Sequence, residues 1–114
     1  MSSKFDIKGG INIDTSISNY ADYFKSLSDE FRLNILFYLF QNGEKCVCEL
    51  TEYFNTSQSA LSYHLKILSE NGLLIKRQEA VWNLYSLNKD HFMFPMLKMV
   101  FKNLSRQLTN AGGS

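Results

Sequence analysis

With 114 residues, 45% of them hydrophobic, the chain can build one packed core but not two ordinary domains, and its nine Phe and six Tyr leave rings over for an interface. Its formal charge of +1 is unevenly spread: residues 1–54 hold five Lys and Arg against eight Asp and Glu, residues 55–114 seven against three, so a phosphate-binding surface is expected in the second half. With no secretory leader and no apolar run of membrane-spanning length, the sequence predicts a cytoplasmic protein with no membrane partner, whose two cysteines serve as thiols or ligands rather than as a structural disulfide.

Residues 1–14 (MSSKFDIKGGINID) have a Gly pair and no helical period, and read as a flexible N-terminal arm. One domain is expected over 15–109, with 110–114 as a tail. From Thr15 onward Ile17, Tyr20, Ala21, Phe24 and Leu27 make a helical stripe, with Thr15 or Ser16 as its cap. Ser28 is placed to cap a second helix, with Asp29 and Glu30 at the positive end of its dipole and Phe31, Ile35, Leu36, Leu39 and Phe40 turned inward. Asn42 and Gly43 end it.

Residues 47–54 (VCELTEYF) predict a short third helix with Val47, Leu50 and Phe54 inward. After a polar connection over Asn55, Thr56 and Ser57, the stretch SQSALSYHLKILSENGLLI predicts a fourth, in which Leu61, Leu65 and Leu68 form one apolar stripe, Thr56 or Ser57 is the cap and Gly72 the stop. Its other face carries Gln58, Ser59, Ser62, Tyr63 and Lys66, which suits a nucleic-acid groove or plain solvent. Two helices so joined fit a helix-turn-helix or a generic helical hairpin. The residues after Gly72 discriminate between them: Leu73–Arg77 and Trp82–Leu87, around Gln78, Glu79 and Ala80, predict a β-hairpin. The expected fold class is therefore mainly α with a small β-hairpin, a winged helix-turn-helix whose wing turns Lys76 and Arg77 toward phosphates.

The last helix is expected from about Phe94 or Pro95 onward, because proline fits a first turn and not a helix interior. Met96, Leu97, Met99, Val100, Phe101, Leu104 and Leu108 cover more than one stripe. Such a helix covers its own domain and something else, and the simplest partner is a second copy. This predicts a homodimer interface at Tyr20, Phe24, Leu97, Phe101 and Leu104; a lone helix wrapped over a small core is the alternative.

Cys46 and Cys48 flank Val47 at the mouth of the third helix, where free N–H groups, the helix dipole and Lys45 favour thiolates. Thiolates select soft, thiophilic ions. Residues two apart point to nearly opposite sides of a regular helix, so a shared ion is expected to distort the first turn and, through it, the recognition helix. The plainer reading is two small residues filling a helix start. A catalytic dithiol is disfavoured, since neither Cys-x-x-Cys spacing nor a βαβ pattern is present.

From about Tyr20 to Leu104 the chain resembles the ArsR/SmtB family of bacterial metal- and metalloid-responsive repressors, on the segments LSDEFRLNIL (27–36), CVCEL (46–50), SQSALSYHLKIL (57–68), NGLL (71–74) and the wing ending Leu84, Tyr85, Ser86, Leu87. The resemblance implies a homodimer on a palindromic operator in double-stranded DNA, released by an inducer, with Ser57 and His64 joining the residues that bind or support DNA. It also exposes departures. Thr51 stands where arsenite sensors often have a third cysteine, and residues 1–44 hold no cysteine for an N-terminal site. Asp90 and His91 match the start of the family's zinc site, but Phe92, Asn103 and Arg106 occupy the remaining ligand positions, so zinc is not expected there and His91 is expected at the surface. Ala80 and Val81 replace the usual Gly and Arg of the wing tip.

The function expected is a DNA-binding transcriptional repressor with no obligatory cofactor, released by arsenite, antimonite or methylarsenite bound to Cys46 and Cys48. Methylarsenite suits two thiolates, because carbon already occupies one valence of its arsenic. The alternative is a thiol-redox repressor on the same fold with no metal ligand. An enzyme is not expected, since two His and scattered carboxylates assemble no nucleophile, base and acid set.

Overall fold

The computed structural model describes residues 13–113, with side chains described for residues 17–110. In chain order the described elements are α1 (Ile13–Leu27), α2 (Glu30–Asn42), β1 (Lys45–Cys46), α3 (Val47–Phe54), α4 (Gln58–Glu70), β2 (Leu74–Glu79), β3 (Trp82–Leu87) and α5 (Phe94–Gly113). Most of the expected arm, residues 1–14, lies outside the described residues. Because α1 already begins at Ile13, Thr15 and Ser16 lie within it and do not cap it. At the other end α5 runs to Gly113, through most of the stretch expected as a tail.

Helix α2 is capped by Asp29 and not by Ser28. The Asp29 backbone is extended and its Oδ1 accepts the Arg32 N–H at 2.9 Å, while Ser28 Oγ turns back to donate to the Lys25 carbonyl. A carboxylate is the stronger acceptor for a free first-turn N–H, so the cap falls one residue later than the hydroxyl suggested. Gly43, at φ +80°, ends the helix and donates to the Leu39 carbonyl. At the end of α4, Gly72 takes φ +74°, as its place after the leucine stripe predicts.

The three strands form one antiparallel sheet in the order β1-β3-β2. Strand β1 pairs Lys45 with Tyr85 and Cys46 with Leu84; at two residues it is too short to show an alternating pattern, which is why the sequence predicts only a hairpin. The wing register runs from Leu74↔Leu87 to Glu79↔Trp82, so Gln78 and Glu79 belong to the strand and the turn is Ala80–Val81. Ala80 adopts φ +55° there, a left-handed conformation that costs an alanine about 1 kcal/mol.

Leu61, Leu65 and Leu68 of α4 are buried against Ile35, Leu36 and Leu39 of α2 and Leu50 of α3 in one core that also takes in Leu97 and Phe101. Burying each of these side chains contributes about 2 kcal/mol of apolar transfer. Phe31 and Phe40 reach this core only at half burial. The placement of Leu97 and Phe101, 3% and 2% exposed, corrects the expected dimer face. Side chains that fill their own subunit's core are unavailable to a second one. The apolar surface left uncovered lies instead on Ile17, Tyr20 and Phe24 of α1 and on Met99, Val100 and Leu108 of α5, with Leu104 half-buried. Among the described residues no helix is long and apolar enough to cross a membrane.

Candidate nucleic-acid interface and thiol pair

Ser57 begins the recognition helix by accepting the Ala60 N–H on its hydroxyl at 3.1 Å, which ties that hydroxyl to helix capping. Gln58, Ser59, Ser62, Tyr63 and Lys66 are exposed, opposite the buried leucine stripe. Lys66 lies 3.9 Å from Glu70, an exposed pair too loose to remove the lysine from a phosphate's reach. His64 has a different part: it is half-buried, its ring packs edge-on to Phe31 with centroids 5.0 Å apart, and its Nδ1 lies 3.1 Å from Arg32 Nη1. A guanidinium can only donate, so Nδ1 accepts and the ring is a brace between α2 and α4. Arg32 is held in turn by its Nε bond to the Ser26 carbonyl at 2.7 Å.

On the wing, Lys76 is exposed and has no carboxylate partner among the described residues. Arg77 does not share that freedom. Its Nε and Nη2 donate to Glu44 at 2.7 and 2.8 Å, and Nη2 also reaches Glu79 at 3.4 Å. This bidentate pair holds the Glu44 carboxyl below its usual range and raises the Arg77 guanidinium. A phosphate facing Arg77 would therefore have to compete with Glu44 for its guanidinium. Glu44 lies 33 positions away and carries no sequence signal of this pairing.

Cys46 is the N-cap of α3, in extended conformation, and Cys48 lies in the first turn; their Cα atoms are 5.3 Å apart and the two sulfurs are joined as a disulfide. Two expectations change here. The cysteines are not simply free thiols, and the sulfurs meet without unwinding the helix, because Cys46 lies before it. Cys46 Sγ accepts the Glu49 N–H at 3.3 Å while Glu49 Oε1 accepts the Cys46 N–H at 3.0 Å, a reciprocal capping box. The spacing Cys46-x-x-Glu49 carries the signal for it, with sulfur in the place of a hydroxyl. Lys45, expected to favour thiolates, lies 3.9 Å from Glu49, whose negative charge offsets it.

Cys46 is buried and Cys48 exposed. Outside Cys48 opens a cleft of about 260 Å³, bounded by Val47 and Thr51 of α3, Gln58 at the start of α4, and Val81, Trp82 and Asn83 of the wing. Thr51 Oγ1 donates to the Cys48 carbonyl at 2.9 Å, so its hydroxyl is committed to the helix. His91 is not the surface residue expected: its Nδ1 accepts from the Met93 N–H at 2.9 Å, its Nε2 donates to the Asn71 carbonyl at 2.8 Å, and Tyr23 packs edge-on to its ring. With both nitrogens engaged, His91 has no lone pair left for an ion.

A polar helix set on a leucine stripe, followed by a two-stranded wing that carries the unpaired Lys76, defines a DNA-binding protein of the winged helix-turn-helix class. Residues 29–76 match the bacterial regulatory proteins of the arsR family. The chain is 46% identical over 74 residues to the arsenical resistance operon repressor of Bacillus subtilis (strain 168), covering 65% of this chain and 70% of that one. It belongs to the arsR family and is a transcriptional regulator. Reduced HlyU from Vibrio cholerae N16961 is similar in structure, with a TM-score of 0.66 and 33% identity over 83% of this chain and 94% of its own. The homodimeric winged helix-turn-helix domain of Mb0332 from Mycobacterium bovis shares the fold, with a TM-score of 0.73 at 23% identity, over 91% and 95% of the two chains.

Proposed function

We propose that this protein is a homodimeric repressor that holds a palindromic operator and leaves it when a soft trivalent metalloid, as arsenite, antimonite or methylarsenite, bonds Cys46 and Cys48. The observation that carries this reading is the meeting of the two sulfurs at the first turn of α3, next to the start of the recognition helix. The arsenical resistance repressor of Bacillus subtilis adds support. A thiol or phosphine reductant first supplies two electrons and two protons to open the disulfide. Methylarsenite then exchanges both hydroxyls for the two sulfurs and releases two waters, with no change in oxidation state.

Coupling to DNA follows from the cap. A sulfur bonded to arsenic no longer accepts well from the Glu49 N–H, so the ligand favours a form in which the start of α3 is rearranged, and α3 shares the core with α4 through Leu50. The test is release of reduced protein from its operator by methylarsenite at one equivalent per subunit. Full response in Cys48→Ser would overturn the site. A redox reading is favoured by the disulfide itself: peroxide takes two electrons and two protons from the thiols and leaves as two waters. Peroxide-driven release with no arsenical adduct by mass would select it.

A further inference from the structure

We propose that the cavity between the end of α2, the end of β3 and the start of α5 binds a small amphipathic carboxylate, an apolar chain ending in one anionic group. It shares no lining residue with the cleft outside Cys48, so the inference stands apart from the reading of the thiol pair. Its volume is about 450 Å³, within the roughly 300–1,000 Å³ that small-molecule sites occupy. Leu39 and Phe40 of α2, Leu87 of β3 and Phe94 of α5 form its apolar part. Leu39 and Leu87 are buried, Phe40 and Phe94 half-buried, and all four pack in or against the core, which holds these walls in place.

The polar part of the lining selects the sign of the ligand. Lys89 and Lys98 are exposed and have no carboxylate partner among the described residues. Glu44 is the one acid in the lining, and Arg77 already holds both of its oxygens, at 2.7 and 2.8 Å. Ser86 adds a hydroxyl that can donate to a carboxylate, and Gly43 completes the wall. The charge continues past the cavity: Lys98, Lys102 and Arg106 recur at intervals of four along one face of α5, and Phe94–Gly113 contains no Asp or Glu. An anion is drawn to this side of the molecule, and a neutral chain of the same length gains the apolar contacts alone. The apolar residues are set in a concavity and offer nothing to insert into a bilayer, which places a free carboxylate above a membrane lipid.

The experiment titrates the reduced full chain with octanoate and octanamide, two probes of one length, by calorimetry and by backbone amide shifts. Octanoate should saturate at one equivalent per subunit, shift the amides of Ser86 and Phe94, and bind about tenfold more tightly than octanamide. Butyrate, with the same head and a shorter chain, should bind at least about tenfold more weakly than octanoate. The preference for octanoate over octanamide should vanish in the double variant Lys89→Gln, Lys98→Gln, whose exposed substitutions should leave thermal unfolding unchanged. Equal affinities for the two probes in the unmodified chain, a preference that survives in the double variant, or shifts confined to Lys102 and Arg106 would overturn the site. Capture on phosphatidylglycerol vesicles with no saturable octanoate binding would overturn it in favour of a lipid surface.

Discussion

Arg77 and Glu44 form a two-pronged ion pair, at 2.7 and 2.8 Å, that ties the first wing strand to the residue preceding the thiol strand. A basic residue placed to meet phosphate is thus neutralised within its own subunit. Glu44→Gln should return that charge to the DNA surface, tighten binding to duplexes of any sequence and steepen the salt dependence by about one unit. Fluorescence anisotropy across a salt series checks this, and an unchanged slope would mean that the wing lies away from the backbone.

The recognition face separates into two kinds of contact. Lys66→Ala should weaken binding to all duplexes and lower the salt slope by about one unit, whereas Gln58→Ala should relax the preference between operator and scrambled sequence at constant slope. His64→Ala, which removes the brace to Arg32, should lose affinity without changing slope, because it misplaces the helix and takes no charge from it. Equal salt slopes for all three variants would refute this division.

The helices and the wing were legible because their signals are local: the stripe Leu61, Leu65, Leu68, the stop at Gly72 and the aromatic run from Trp82. The pairings that decide the site join distant residues, Arg77 with Glu44 and Arg32 with His64, for which no periodicity exists. Strand β1 was hidden by its length. The error over Leu97 and Phe101 has a different origin: a helix apolar on two sides does not announce which side its own core takes.

That error sets the dimer test. Leu97→Ala should cost about 2–5 kcal/mol of stability, as truncation of a buried leucine does. Phe24→Asp and Val100→Asp, at residues 53% and 45% exposed in the single subunit, should leave the subunit folded and produce monomers in sedimentation at micromolar concentration. Operator affinity should fall with the dimer, and variants that remain dimeric would move the interface elsewhere.

Asp29 gives a pH-dependent contribution whose sign is fixed. Its carboxyl is held below the usual value, first by the Arg32 N–H it accepts, so the folded state binds its proton less readily than the unfolded chain. The contribution is therefore complete above about pH 4 and is lost as pH falls through the lower, folded value. Asp29→Asn, which caps without titrating, should flatten urea-unfolding midpoints below pH 4, while Asp29→Ala should cost about 1 kcal/mol at neutral pH.

The capping role of Cys46 separates its structural part from its chemical one. Its sulfur accepts the Glu49 N–H at 3.3 Å, and a serine hydroxyl, among the best caps, can take over that bond. Cys46→Ser should therefore keep thermal stability and operator affinity while losing the arsenical response. Cys46→Ala removes the acceptor as well, and should cost about 1 kcal/mol through the frayed first turn of α3. Cys48 accepts no hydrogen bond from the helix among the described contacts, so its serine and alanine variants should be equally stable. Calorimetry on the four variants under reducing conditions, beside the operator-release assay, checks the set. If Cys46→Ser were as unstable as Cys46→Ala, the sulfur would have to be holding α3 by packing and not as its cap.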